Sequence, residues 1–249
     1  MRLPVPLRAS VLAAGLVSVL VALGISACSG GSDATTSSDE GGASVDGATT
    51  TKPSDEVDGG NEGGREGGPV SPPSVVLFGG LSTESAGSSA VYASDTWAWD
   101  GKAWRGLGVP GPAGRAGAAI AAIGGKLVLF GGYSLQGRLT DTWSWDGASW
   151  LPLSVTGPSN LGESAMAALG GKIVLFDGLG TWLFDGGAWT KLGVTSPSPR
   201  DRAGMATYQG KAVLHGGHVH DATRGDLCLQ DTWTWDGSTW TLAAAGGPP

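Results

Sequence analysis

The sequence predicts an all-β chain in which one antiparallel unit is repeated four times. All eleven tryptophans recur in a fixed local frame, and each frame follows a short apolar run closed by glycine. Residues 74–249 divide into four units of 44 positions, a length within the period of β-propeller blades. Composition agrees by exclusion. Glycine is 45 of 249 residues, about two and a half times ordinary usage, but without the three-residue period of collagen. A chain that is 41% hydrophobic must bury that surface, which excludes disorder throughout. Two cysteines exclude a disulfide-dense scaffold.

Residues 1–27 place Arg2 and Arg8 before an apolar run from Val11 to Ile25, the charged and hydrophobic regions of an export signal. The run ends in Ile25-Ser26-Ala27-Cys28, which resembles the lipobox of bacterial lipoproteins. The resemblance implies cleavage before Cys28, acylation of that cysteine by palmitate-type chains, and anchoring in the lipid bilayer. Two such chains bury enough CH₂ groups, at about 0.8 kcal/mol each, for stable attachment. An ordinary cleaved signal and an uncleaved span are the alternatives; the run is short for a span, and neither calls for a cysteine at this position. Ser29 after the cysteine is compatible with sorting to an outer membrane where one exists, and otherwise the outer face of the plasma membrane is expected.

Residues 28–73 read as the lipidated cysteine followed by a disordered Gly/Ser/Asp-rich linker. Between Ser29 and Gly68 nine acids face Lys52 and Arg65, a net charge of −7, whereas residues 69–249 hold 13 acids against 11 bases. The acidity therefore belongs to the tether, which spans roughly 35 Å on average as a flexible chain. No basic patch stands out, and no nucleic-acid partner is expected.

The repeated frame is Asp95-Thr96-Trp97-Ala98-Trp99-Asp100-Gly101, then Asp141-Thr142-Trp143-Ser144-Trp145-Asp146-Gly147, then Asp231-Thr232-Trp233-Thr234-Trp235-Asp236-Gly237. A degenerate copy, Gly180-Thr181-Trp182-Leu183-Phe184-Asp185-Gly186, lies between the second and third. Each continues as D-G-x-x-W, adding Trp104, Trp150, Trp189 and Trp240. Apolar runs such as Leu127 to Phe130, Gly-containing turns such as Gly124-Gly125-Lys126, and Ala-rich runs such as Ala116 to Ile123 complete a four-stranded meander. The units cover about 74–110, 111–158, 159–197 and 198–245. The small residues of the first strand suit the narrow inner end of a wedge, and the tryptophans its wider part.

This arrangement resembles the kelch repeat in its bacterial D-x-W-x-W-D-G-x-x-W form, over residues 74 to about 245. The resemblance implies a kelch-type β-propeller. The repeated tryptophans then read as filler between blades rather than a sugar-stacking platform, since a chain poor in Phe and Tyr needs them for its core.

Meander parity brings the connections between second and third strands, and those between units, to one end. Those loops vary from Leu179–Gly180 to the 14 residues Leu81–Ser94, and such variation in a strict repeat marks a binding face. Tyr92, Arg115, Tyr133, Arg138, Arg200, Arg202, Asp221 and Arg224 are its expected residues, for a protein or glycan partner. The competing reading is that arginines at the start of the first strand, Arg115 and Arg202 above all, pair with Asp141 and Asp231. His218 and His220 are weak metal candidates, with no second cluster to complete a coordination shell; His215 takes the place of a blade phenylalanine, and Cys228 reads as a packed thiol. No disulfide and no cofactor are expected.

A non-enzymatic binding module is favoured. The alternative is a carbohydrate-active enzyme of the kelch fold, an oxidase or a sugar-acid epimerase; but the tyrosine–histidine copper set of the galactose oxidase family has no counterpart here, and no acid–base pair can be assigned. The first unit lacks a convincing inner strand: Arg65-Glu66-Gly67 imitates the openings Arg115-Ala116-Gly117 and Arg202-Ala203-Gly204 but runs into Pro69, Pro72 and Pro73. Four units fall short of the six or seven common among related propellers. An open array, a fragment of a longer propeller, or self-association through open blade faces follows.

Overall fold

The computed structural model describes residues 75–82, 91–159, 163–221 and 225–247. Among them are only strands and turns, arranged as successive antiparallel sheets. The first unit is three-stranded, with β1 (Val75–Ser82), β2 (Val91–Trp99) and β3 (Trp104–Gly106) in sequential order. The second has β4 (Ala119–Ile123), β5 (Lys126–Phe130), a small hairpin of β6 (Tyr133–Ser134) and β7 (Gly137–Arg138), then β8 (Thr142–Trp145) and β9 (Trp150–Leu153). The third is the plain meander β10 (Ala165–Leu169), β11 (Lys172–Phe176), β12 (Thr181–Phe184) and β13 (Trp189–Lys191). The fourth repeats the second, with β14 (Gly204–Tyr208), β15 (Lys211–His215), the hairpin β16 (His218–Asp221) and β17 (Gly225–Cys228), β18 (Thr232–Trp235) and β19 (Trp240–Ala244). Four-stranded sheets thus form from three of the units, in a propeller-like arrangement without a closed ring.

Each turn follows from its residues. Between β4 and β5, Gly124 and Gly125 have φ of 57° and 77°, the left-handed pair that a two-residue hairpin needs. The fourth unit makes the same turn with Gln209 at φ 46° before Gly210. The D-G-x-x loop closes on its aspartate. Asp146 Oδ1 accepts from the backbone N–H of Ala148 at 2.9 Å and Ser149 at 2.8 Å, and Asp100, Asp185 and Asp236 repeat this. These backbone bonds lower the pKa of all four carboxyls.

The sheets pack face to face, and each junction has the same construction. The tryptophan that follows D-G-x-x inserts against the preceding sheet and donates its indole N–H to that sheet's threonine. Trp150 bonds Thr96 at 2.9 Å, Trp189 bonds Thr142 at 3.0 Å, and Trp240 bonds Thr181 at 2.8 Å. The same rings meet Phe78, Phe130 and Phe176, with centroids 5.2, 5.5 and 6.4 Å apart. Dry clusters fill the seams. Ala119, Ala121, Val128 and Phe130 of the second sheet pack with Met166, Ile173, Leu175, Phe184 and Trp189 of the third. Alanines on β4 and β10 let the inner strands approach, as the wedge expectation requires. Thr96→Val leaves the Trp150 indole N–H buried without an acceptor, and is expected to cost about 1–3 kcal/mol. Thr241→Val, at an exposed position of β19, is expected to stay within about 0.5 kcal/mol of the parent; urea unfolding of the two variants side by side checks both.

Candidate binding face

The connections between second and third strands lie at one end of the sheets, and three of the four are extended rather than looped. In the first unit the β1–β2 pairing passes a bulge at Phe78/Gly80 and continues through Leu81↔Tyr92 to Ser82↔Val91. In the second and fourth units the connection folds into the β6–β7 and β16–β17 hairpins. The third has only a two-residue turn, Leu179–Gly180, as its sequence suggested. The hairpins rise from glycine doublets whose second member must be glycine. Gly132 has φ of 95° and Gly217 of 107°, and a Cβ would lie 2.7 Å from the Ala116 carbonyl in the first case and 2.9 Å from the Asp201 carbonyl in the second.

Below the hairpins lie two buried arginines. Arg115 is 1% exposed. Its guanidinium donates to both carboxylate oxygens of Asp141, at 2.6 and 2.9 Å, and to the carbonyls of Gly131 and Ala113. Asp141 also accepts from the Trp143 indole at 2.7 Å. Arg200, 4% exposed, repeats the set with Asp231, Gly216 and Ser198, and Trp233 completes it. Each arginine also ties its sheet to the preceding one through the backbone: Gly80 N–H donates to the Arg115 carbonyl, and Arg200 N–H to the Gly178 carbonyl.

Arg115 and Arg200, expected on an exposed binding face, are therefore internal staples. The pairing reading holds for Arg115, but its partner in the fourth unit is Arg200 rather than Arg202. The register explains the difference. The bridges Ala116↔Tyr133 and Asp201↔His218 are equivalent, so Arg200-Asp201-Arg202 matches Arg115-Ala116-Gly117. Arg202 thus occupies the left-handed position that Gly117 fills in the second unit, with φ of 55° against 64°. The third unit has no arginine at the matching position, Leu161, and no aspartate before Thr181. Asp177, in its glycine doublet, takes the carboxylate's place: it accepts from the Trp182 indole at 2.8 Å and from the N–H groups of Leu179 and Gly180.

What remains at the surface is a mixed aromatic and charged patch. Arg138 lies over the Tyr133 ring at 5.7 Å, within cation–π range, and Leu135 at the hairpin tip is 76% exposed. Tyr92 is half-buried on the β1–β2 extension. Arg202 is exposed and pairs with Glu163 at 3.4 Å, and the Glu163 side chain lies over Gly117. Asp201 Oδ1 is shielded from solvent without a hydrogen bond, and His218 Nδ1 lies 3.9 Å from it, an ion pair when the imidazole is protonated. The sequence offered no sign of this Asp201–His218 pair, because it arises only from the cross-strand bridge. His218 and His220, two apart on β16, share a face of the strand, but among the described residues no group of three or more metal-ligating side chains converges. His215 ends β15 and its Nδ1 lies 3.0 Å from Thr232 Oγ1. Cys228 ends β17 and lies opposite His218 in the hairpin register. Arg224 and Cys28 lie outside the described residues, as does the Asp221 side chain.

At the opposite end, a cleft of about 370 Å³ is lined by Leu169, Lys172, Leu183 and Trp235. The Trp235 indole N–H is buried there without an acceptor among the described residues. Comparison of the chain with protein-family models and with curated proteins finds no match.

The staples set an acid limit. Hydrogen bonds from Arg200, opposed by burial and aided by Trp233, hold the Asp231 carboxyl below its ordinary 3.8. At Asp141 burial raises the pKa, but the bonds from Arg115 and Trp143 outweigh it. A depressed folded-state pKa gives stability that is complete above the unfolded value and lost as pH falls through the folded one. Stability is expected to be flat near neutrality and to fall below about pH 4. Asp141→Ala strands a buried guanidinium and is expected to cost about 3 kcal/mol at pH 7. Denaturant midpoints across pH measure both.

Proposed function

We propose that this chain is a non-enzymatic, envelope-anchored interaction module: a kelch-type propeller array carried outside the cell on a lipidated tether. The observation that carries the binding part is the contrast between strict and variable elements. Junction and D-G-x-x turn recur from unit to unit, and the staple recurs in the second and fourth units, whereas the hairpins at one end differ in length and side chains. They expose Leu135, Arg138 and the Tyr133 ring at a place where these groups add nothing to the seams. A patch of one aromatic ring, a cation on its face and an apolar tip suits a folded protein or a glycan, which such groups grip by stacking and charge-assisted hydrogen bonds.

The anchoring part rests on the Leu-Val-Ala-Leu-Gly-Ile-Ser-Ala-Cys stretch ending at Cys28 and on the acidic tether that follows. A thioether-linked lipid on Cys28 and an intrachain disulfide at Cys228 exclude each other, since the chain has two cysteines. Palmitate labelling and membrane fractionation are therefore decisive. Wild type is expected in the membrane fraction with label, and Cys28→Ser is expected to lose both; an unlabelled wild type with its two cysteines joined would overturn the lipid reading. For the binding face, a photo-crosslinker at Leu135 in intact cells is expected to capture a discrete envelope component, and one at Lys126, at the opposite end, is expected not to. Substituting Tyr133→Ala and Arg138→Glu together should abolish that capture while leaving thermal unfolding unchanged; equal capture from both ends would defeat the assignment.

A further inference from the structure

The junction between sheets has two halves, and among the described residues one of each stands unmatched. In the three internal junctions the receiving threonines Thr96, Thr142 and Thr181 are at most 1% exposed, and of the incoming tryptophans Trp150 is 5% and Trp189 7% exposed while Trp240 is partly buried. The first unit carries the incoming half, and among the described residues no sheet precedes it. Trp104 is 45% exposed, stacked only on Trp99 of its own sheet, with no acceptor for its indole N–H among the described residues; Trp97 beside it is 37% exposed. The fourth unit carries the receiving half, and among the described residues no sheet follows it. Thr232 is only partly buried, and on the same outward face Val213 is half-buried, His215 exposed and Tyr208 65% exposed. Register fixes these equivalences, since His215↔Thr232 in the fourth sheet repeats Phe130↔Thr142 in the second.

We infer that a second copy of this chain docks head to tail, its Trp97–Trp99–Trp104 face on the Thr232–His215 face of the first. The occupant is specified by the molecule itself. The docking surface for a Trp-bearing sheet is seen three times inside the chain, and a second copy supplies the same indole, in the same register, to the same threonine. The contact is heterologous, because different faces meet. Two copies related by a twofold axis make two such contacts, one through each unmatched face. His215, where internal units have phenylalanine, presents a planar ring to the incoming indole and keeps the uncovered face polar. This pairing is independent of the envelope reading and stands or falls separately from it.

Sedimentation velocity of the full chain in detergent, over a concentration series, tests it. The wild type is expected to be a dimer. Trp104→Glu damages only the incoming half and Thr232→Arg only the receiving half, and each is expected to weaken association about thirtyfold or more, as loss of a central aromatic contact does. Both positions are solvent-exposed or partly so, and circular dichroism of each variant is expected to match the parent. An equimolar mixture of the two variants retains one intact junction and is expected to recover a two-copy species absent from either alone. A wild type that is monomeric throughout, a dimer that survives either substitution, or a mixture that stays monomeric would overturn the inference. The first of these, with Trp104 protected from oxidation, would point to closure within one chain or to a different partner.

Discussion

One hydrogen bond organises this molecule: an indole N–H of one sheet donated to a threonine hydroxyl of the sheet before it. A tryptophan cannot be buried cheaply unless its N–H finds an acceptor, and a threonine paired across the sheet with a phenylalanine supplies one in each junction. The bond itself contributes on the order of 1 kcal/mol. Its larger effect is positional. It fixes the depth and orientation of a bulky ring that also packs on a phenylalanine of the receiving sheet, so the seam has a single register. Face-to-face packing without such a key would leave two apolar sheets free to slide.

The second layer of order is electrostatic and lies at the hairpin end. Arg115 and Arg200 have little access to water, and each fills its donor capacity with a carboxylate and backbone carbonyls. A buried guanidinium without these acceptors would be prohibitive. The arginine, the aspartate and the tryptophan beside it therefore act as one group. Because they hold the bases of the hairpins, the exposed residues above, Tyr133 and Arg138 among them, are displayed on a rigid support rather than on a loose loop.

Much of this was legible in the residues. The spacing of D-x-W-x-W-D-G-x-x-W located the third and fourth strands of each unit and their turn, because the aspartate that closes the turn and the rings that fill the seam must keep their separations. Glycine doublets located the ends of the second strands. The register of the fourth unit was not legible. Arg202-Ala203-Gly204 looks like Arg115-Ala116-Gly117, but the chain aligns on the left-handed residue and the cross-strand bridge, neither of which a side-chain triplet reveals. The variable connections read as loops for a related reason: hairpin pairing within them depends on the glycines at their base rather than on any alternation of their own. The Asp201–His218 pair was hidden altogether, its members joined only across strands.

The relocation of the carboxylate in the third unit has a consequence for how the array responds to its surroundings. With Leu161 where its neighbours have arginine, the third unit has no ionic staple from that position, and the seam before it rests on the dry cluster of Phe130, Ile173, Phe184 and Trp189. Apolar contact weakens on cooling, as its heat-capacity signature requires, whereas carboxylate–guanidinium contacts yield to acid. All three seams rest on dry clusters and share the weakening on cooling, whereas acid acts within the second and fourth units, at the bases of their hairpins.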